Sequence, residues 1–133
     1  MKLQAEFAIL PLRQKLEQGV ALFNDRSFFD CHDLFEEIWR ESTGKDRLFF
    51  QGIIHIAVGF YHLENENSRG ARSQLSKGIT KLQQFQTAYH GIELREFLTQ
   101  TSRCLEWVMQ REQGIEQGPF DAASIPRLQI VNQ

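Results

Sequence analysis

The sequence predicts an all-α fold, a compact bundle of about five helices with an extended C-terminal tail. Apolar residues recur at spacings of three and four along most of the 133 residues, which is the period of an amphipathic helix. Only three prolines occur, and two of them, Pro119 and Pro126, lie near the C-terminus. Eleven phenylalanines supply volume for a well-filled core. We therefore expect one domain over residues 1–133.

Capping and turn residues divide the chain into five predicted helices and no sheet. Pro11 occupies a favoured first helical position. Ser27 and Asp46 are candidate caps for the second and third helices, and Gly91 breaks the chain after the fourth. The predicted helices cover about residues 11–24, 28–42, 47–64, 69–89 and 93–113. Because prolines forbid a long helix in residues 118–133, we expect that segment to lie extended over the bundle.

Composition excludes several classes of protein. Fifteen basic and 17 acidic residues give a net charge of -2, which argues against nucleic acid as a main partner. The longest apolar run, residues 48–63, contains polar side chains and falls short of the roughly 18–20 residues that span a membrane. Residues 1–6 lack the features of a signal peptide, and Cys31 and Cys104 are too few for a disulfide framework. We expect a cytoplasmic protein with no membrane association.

One stripe of polar residues crosses the otherwise apolar third helix. Gln51, His55 and His62 project within roughly 40° of one another, since successive helical residues turn by about 100°. Gly52 and Gly59 border this stripe and remove bulk beside it. A glycine inside a helix costs about 1 kcal/mol relative to alanine, so two of them predict either close packing or space kept open.

The second helix supplies a possible partner for this stripe. His32 and Glu36 lie four residues apart, hence on one face, and Trp39 flanks them. A short turn makes the two helices antiparallel neighbours, which would place Glu36 near Gln51 and His55. Two imidazoles and a carboxylate with open positions match the ligand sets of zinc and non-haem iron, and manganese is a third candidate.

These residues support two main functional hypotheses. In the first, His32, Glu36 and His55 hold a divalent metal and the protein hydrolyses a small-molecule substrate, with Glu36 and Gln51 in catalytic roles. In the second, the same side chains form a buried polar network that locks two helices together, in a non-catalytic interaction or scaffold domain. A metal-free ligand pocket is a third possibility. Trp107 suggests a homo-oligomer contact, because tryptophan is enriched in interfaces.

Three motifs resemble the domain-of-unknown-function family 309, a family of small bacterial and archaeal helical proteins. They are Phe29-x-x-His32-x-x-x-Glu36-x-x-Trp39, Gln51-Gly52-x-x-x-x-Ala57 and Asn67-x-x-Gly70-Ala71, within a motif-bearing core at residues 23–71. The resemblance implies a compact all-helical fold and carries the family's label of predicted metal-dependent hydrolase. It maps the functional positions to His32, Glu36, Trp39, Gln51, Gly52, Asn67 and Gly70, and Gly59 and His62 complete the predicted pocket.

Two positions depart from the family's pattern. Asp33 stands where the family usually has glutamate, and His55 stands where the family tends to have glutamine. If metal binding is general to the family, His55 is not an obligatory ligand. The resemblance therefore supports the pocket more than it supports a particular metal.

Overall fold

The computed structural model of the protein describes residues 10–131, and in this range it has five α-helices. They are α1 (Leu12–Asn24), α2 (Phe28–Arg40), α3 (Gly44–Glu64), α4 (Ser68–Leu82) and α5 (Arg95–Glu112). The all-α prediction is confirmed. The predicted absence of a signal peptide concerns residues 1–6, and the predicted tail includes residues 132–133; both lie outside the described residues.

Helix α3 is the central helix, packed between α2 and α4. One side of it is completely buried, and this side carries Phe49, Phe50, Ile53, Ile56, Ala57 and Phe60. The other side reaches the surface, since Gln51 and Val58 are half-buried and Tyr61 is exposed. Within residues 10–131, no helix is both long and apolar enough to cross a membrane.

Aromatic rings join four of the helices in the core. Phe23 of α1 makes edge-to-face contacts with Phe28, Phe60 and Phe97, with ring centroids 5.1, 6.0 and 5.5 Å apart. Such pairs contribute about 0.5–1.5 kcal/mol beyond the area they bury. The expectation of a phenylalanine-filled core is therefore confirmed.

The expectation of no sheet is wrong, because the predicted fourth helix ends early. Helix α4 stops at Leu82, and β1 (Ala88–Tyr89) then pairs antiparallel with β2 (Ile92–Glu93). The connecting residues His90 and Gly91 have φ values of 50° and 77°, as a two-residue type I′ hairpin turn requires. The hairpin was read as helix because each of its strands is only two residues long, too short to show the alternation of a strand.

The starts of two helices also differ from the prediction. Pro11 is the N-cap of α1 rather than its first helical residue. Helix α3 begins at Gly44, so Asp46 lies inside its first turn and is not its cap. The Ser27 hydroxyl makes no capping bond and donates to the Asp25 carboxylate instead, over 3.2 Å. The local sequence therefore predicted the first residues of these helices only to within three residues.

The C-terminal tail is extended, as predicted, apart from a short 3-10 turn at Ala122–Ser124. The Asn24 side chain makes two hydrogen bonds to the backbone of Leu128, donating over 2.9 Å and accepting over 2.7 Å. Ile130 forms a β-bridge with Ile92 of β2. The tail therefore ties the end of α1 to the hairpin. Trp107 packs against Phe120 of this tail, although the sequence suggested a subunit contact for it.

Candidate functional site

His32 and Glu36 come together on α2, as their spacing predicts. The Nε2 atom of His32 lies 3.3 Å from Oε1 of Glu36, and the two side chains are 21% and 33% exposed. Arg40 approaches the other oxygen of Glu36 at 3.6 Å and also pairs with Glu37. The pair therefore lies in a charged row at the edge of the core rather than inside it.

The tautomer of His32 follows from its second nitrogen. Its Nδ1 atom lies 2.9 Å from the backbone carbonyl oxygen of Phe29. A carbonyl can only accept, so Nδ1 carries the proton. The Nε2 atom faces Glu36. In the neutral ring this atom has a lone pair that can bind a cation, and in the imidazolium form it carries a second proton. A ring oriented in this way is typical of metal-binding histidines.

The two ends of the α2–α3 contact are aromatic. At one end the Arg47 guanidinium stacks over the Trp39 ring, 3.9 Å from its centroid. At the other end the Phe29 ring, 58% exposed, contacts Tyr61, with centroids 5.8 Å apart. Phe29 also meets the edge of the His32 ring. These contacts show that α2 lies beside the Arg47–Tyr61 side of the exposed face of α3.

His55 faces a different helix from the one predicted. Its Nδ1 donates to the side-chain oxygen of Gln74 on α4 over 2.8 Å. Half-burial lowers the pKa of His55, the bond to Gln74 opposes this, and the positive charges of Lys81 and Lys77 lower the pKa further. The ring is therefore neutral at pH 7. The structure does not bring His55 to Glu36 and His32, because the polar stripe of α3 points toward α4.

The glycines beside the stripe serve close packing between α3 and α4. A Cβ atom on Gly52 would lie 2.8 Å from the Leu82 side chain, and one on Gly59 would lie 2.6 Å from Leu75. Real Cβ atoms do not approach other atoms this closely. Of the two interpretations of these glycines, the structure selects close packing over open space, and they form no pocket wall.

His62, Asn67 and Gly70 meet at the corner where α3 connects to α4. The side-chain oxygen of Asn67 accepts from the Gly70 backbone N–H over 2.9 Å and so caps α4. The amide nitrogen of Asn67 lies 3.2 Å from Nδ1 of His62, and a Cβ on Gly70 would touch the His62 ring. Such a cap contributes about 1 kcal/mol. These three predicted site residues have a structural explanation that needs no ligand.

The three-ligand metal site is tested by this geometry. Within residues 10–131, no three side chains of histidine, cysteine, aspartate or glutamate lie close enough together to hold one metal ion. His32 and Glu36 are paired, whereas His55 is engaged with Gln74. The described residues therefore do not bring the predicted set of three ligands together.

Comparison with known proteins finds a family that is similar to part of the chain. Residues 16–74 match the family model described as domain of unknown function DUF309. Over these residues the chain is similar to the DUF309 family. A 59-residue segment is also 37% identical to the uncharacterized protein YpuF of Bacillus subtilis (strain 168). That segment is 44% of this chain and 34% of YpuF, so the chain spans about a third of the relative that it matches.

The DUF309 segment contains all the predicted site residues and also Gln74, the partner of His55. Most of them lie on one surface, which we call the α2–α3–α4 face. It consists of the exposed and half-buried residues on the open side of these three helices: Phe29, His32, Asp33, Glu36, Trp39, Gln51, His55, Val58, Tyr61, His62, Gln74, Lys77 and Lys81. Helix α3 forms the middle of this face, between α2 and α4.

Two clefts in the described part of the chain lie away from this face. One, of about 600 Å³, is lined by α1 and the tail, including Arg13, Asn24 and Arg127. The other, of about 480 Å³, lies between residues 83–87, which follow α4, and the start of α5, beside Phe85 and Leu98. Neither is lined by a predicted site residue. His32, Glu36, Gln51 and His55 lie half-buried on the α2–α3–α4 face, outside these two clefts.

A polar cluster that the sequence did not predict joins the hairpin to the start of α3. The Tyr89 hydroxyl donates to Asp46 over 2.5 Å, and Nε2 of His90 lies 3.1 Å from the same oxygen. The bond from Tyr89 is the main cause that lowers the pKa of Asp46, and it raises the pKa of Tyr89 to about 12. His90 stacks on the buried Phe50 ring. Because Asp46 is 43 residues from Tyr89, no local pattern indicated this cluster.

Proposed function

We propose that this protein is a docking domain that binds another protein surface through its α2–α3–α4 face. One observation carries the proposal: the predicted site residues lie along an open, partly apolar surface that exposes Phe29 packed on Tyr61. Exposed aromatic rings contribute much of the binding energy of protein interfaces. A small-molecule site, in contrast, buries most of its ligand in a concavity.

The rest of the face also supports a protein partner. Val58 and the nearly buried Ile54 lie along the middle of α3. Charged side chains lie on both sides, on α2 and on α4. An apolar centre with a polar rim is the usual anatomy of a protein interface. The internal bonds of His55 and His62 hold α3 and α4 in place beneath it.

Site-specific photocrosslinking in cells of the source organism tests this proposal. A photoreactive phenylalanine analogue at position 29 is expected to give a discrete protein adduct that mass spectrometry identifies. The same probe at position 109, an equally apolar but distant exposed site on α5, is the matched control. Tyr61→Asp should reduce the adduct from position 29 several-fold, because it places a charge beside the probe. Equal labelling from both positions, or no adduct from position 29, would contradict the proposal.

A divalent-cation site at His32 and Glu36 is a second candidate, favoured by one specific observation. The Nε2–Oε1 separation is 3.3 Å, and two ligands at about 2.0–2.2 Å from a tetrahedral zinc ion are separated by about 3.4 Å. The Nδ1–H bond to Phe29 directs the other ring nitrogen toward Glu36. Water or a bound partner would complete the coordination. The hydrolase hypothesis and the catalytic roles of Glu36 and Gln51 depend on this second candidate and stay predictions.

Calorimetric titration with zinc, manganese and iron(II) tests the second candidate. We expect His32→Ala and Glu36→Gln each to abolish binding, since each removes one of two ligands. His55→Ala is the matched control and should leave metal affinity unchanged, because His55 bonds to Gln74. Loss of binding in the His55 variant would instead support the three-ligand site. No binding by the unaltered protein would end this candidate and leave the docking proposal in place.

A further inference from the structure

We infer that the partner on the α2–α3–α4 face is a second copy of this chain, related by a two-fold axis that runs along α3. This inference rests on the proposed docking function and names the partner. It depends on three features of the face: an acidic edge, a basic edge, and the equal height of the two edges along α3.

The acidic edge is formed by α2. Asp33, Glu36 and Glu37 lie on the part of this helix that borders the face or its rim. Arg40 pairs with Glu36 and Glu37, at 3.6 and 2.6 Å, and is the one basic residue among them. The three carboxylates outnumber it, so this edge carries a net negative charge.

The basic edge is formed by α4. Lys77 and Lys81 lie on the side of α4 that borders the face, one turn apart. Both lie close enough to His55 for their charges to lower its pKa. The sequence contains no acidic residue between positions 68 and 92, so no carboxylate on α4 neutralises this edge.

The two charged edges lie at the same height along α3. Trp39 contacts Arg47 and Phe29 contacts Tyr61, so residues 33–36 of α2 lie beside about residues 51–56 of α3. A Cβ on Gly52 would lie 3.4 Å from Lys81. His55 bonds to Gln74, so Lys77, between Gln74 and Lys81, lies beside the same stretch. Negative and positive side chains therefore face each other across the middle of α3.

A two-fold axis along α3 exchanges the two edges without changing their height. When two copies dock face to face about this axis, α2 of one copy lies over α4 of the other. Asp33 and Glu36 then face Lys77 and Lys81 of the second copy, and the symmetry repeats this pairing on the other side. The Val58 side chain on α3 lies between the charged rows, and the exposed ring of Phe29 lies beside Tyr61 at one end of the face. A self-complementary patch of this kind is what a two-fold dimer requires.

The size of the face predicts weak self-association. Helices pack about 8–10 Å apart, and residues 47–61 extend for about 22 Å, so each copy offers roughly 400–450 Å² in projection. That is about half of the roughly 800 Å² per partner in a standard interface. We therefore expect a dimer with a dissociation constant in the micromolar range or weaker, strengthened at low salt.

Charge reversal with sedimentation equilibrium tests the dimer, at about 10–300 µM protein and about 50 mM salt. We expect the natural chain to self-associate. The pair Asp33→Lys with Glu36→Lys should weaken this at least about tenfold, and so should the pair Lys77→Glu with Lys81→Glu, because each places like charges opposite one another. A mixture of the two variants, one fluorescently labelled, should recover near-natural affinity as a heterodimer. Glu106→Lys with Glu116→Lys, on exposed carboxylates remote from the face, is the charge-matched control.

Three outcomes would overturn the inference. They are a monomeric natural chain over the whole concentration range, self-association that neither face reversal weakens, and a variant mixture that fails to associate. Circular dichroism of each variant shows that it is folded. A monomeric chain that still gives a face-specific crosslink to a different protein would end the dimer and leave the docking function intact. A chain that neither self-associates nor gives a face-specific crosslink would contradict both the dimer and the docking function.

Discussion

At the scale of single residues, the hydrogen-bond partner decides what each histidine can do. His32 donates to a backbone carbonyl and presents Nε2 to a carboxylate, whereas His55 donates to an amide and is held neutral. From the sequence, both histidines were predicted to be ligands of one metal ion. Helical spacing predicted the His32–Glu36 pair correctly because both residues belong to one helix. It could not predict the Gln74 partner of His55, since that contact joins two helices.

The lowered pKa of His55 predicts a pH-dependent contribution to stability. The folded-state pKa lies below the ordinary value of 6.5, so the unfolded chain binds the proton more readily. The folded form therefore loses free energy of unfolding as the pH falls through about 6.5 toward the lowered pKa. Urea unfolding between pH 7 and pH 5 measures this loss. His55→Gln, which retains an amide able to bond to Gln74, should make the decline shallower, and an unchanged slope would contradict the prediction.

At the scale of helices and strands, the sequence predicted which helices form better than it predicted which of them pack together. The five described helices follow from apolar spacing, but Ser27 makes no capping bond and Asp46 lies inside the first turn of α3. The hairpin was not predicted because its sequence signal is a two-residue turn between very short strands. The helical period of the sequence also shows which residues share a face of α3. It does not show which neighbouring helix packs against that face. The stripe was therefore assigned to α2 when it packs toward α4.

The tight α3–α4 contact predicts that alanine at Gly59 destabilises the fold. Its Cβ would lie 2.6 Å from the Leu75 side chain and 3.0 Å from the Leu75 backbone nitrogen. Overpacking of this kind costs about 1–3 kcal/mol, which exceeds the gain of about 1 kcal/mol in helix propensity. Thermal or urea unfolding measures the change. Gly118→Ala, with no neighbouring atom within 4 Å, is the control, and a stabilised Gly59→Ala variant would contradict the close approach.

At the scale of the whole molecule, composition and periodicity predicted the fold class but not the shape of the site. The core and its phenylalanines follow from composition. The contacts between distant residues do not, and these include Asp46 with Tyr89 and Asn24 with Leu128. Such contacts decide how the hairpin and the tail attach to the helices. The family match covers residues 16–74, so it excludes the hairpin, α5 and the tail that complete the fold.

The tail is expected to stabilise the whole bundle through Leu128. This side chain is 2% exposed, and its backbone is bonded at both atoms to Asn24. Leu128→Ala should lower the free energy of unfolding by about 2–4 kcal/mol, because it leaves a cavity under the tail. Gln129→Ala, at the adjacent exposed position, should change it by less than about 0.5 kcal/mol. Equal effects of the two changes, measured by urea unfolding, would show that the tail does not contribute to the core.

The bond between Asn24 and Leu128 also has a consequence for biosynthesis. The two residues are 104 positions apart, so α1 cannot complete its contacts until the ribosome has made Leu128. Until then the nascent chain leaves that end of α1 uncovered. A chain that stopped before Leu128 would therefore lack the residue that closes this end of α1.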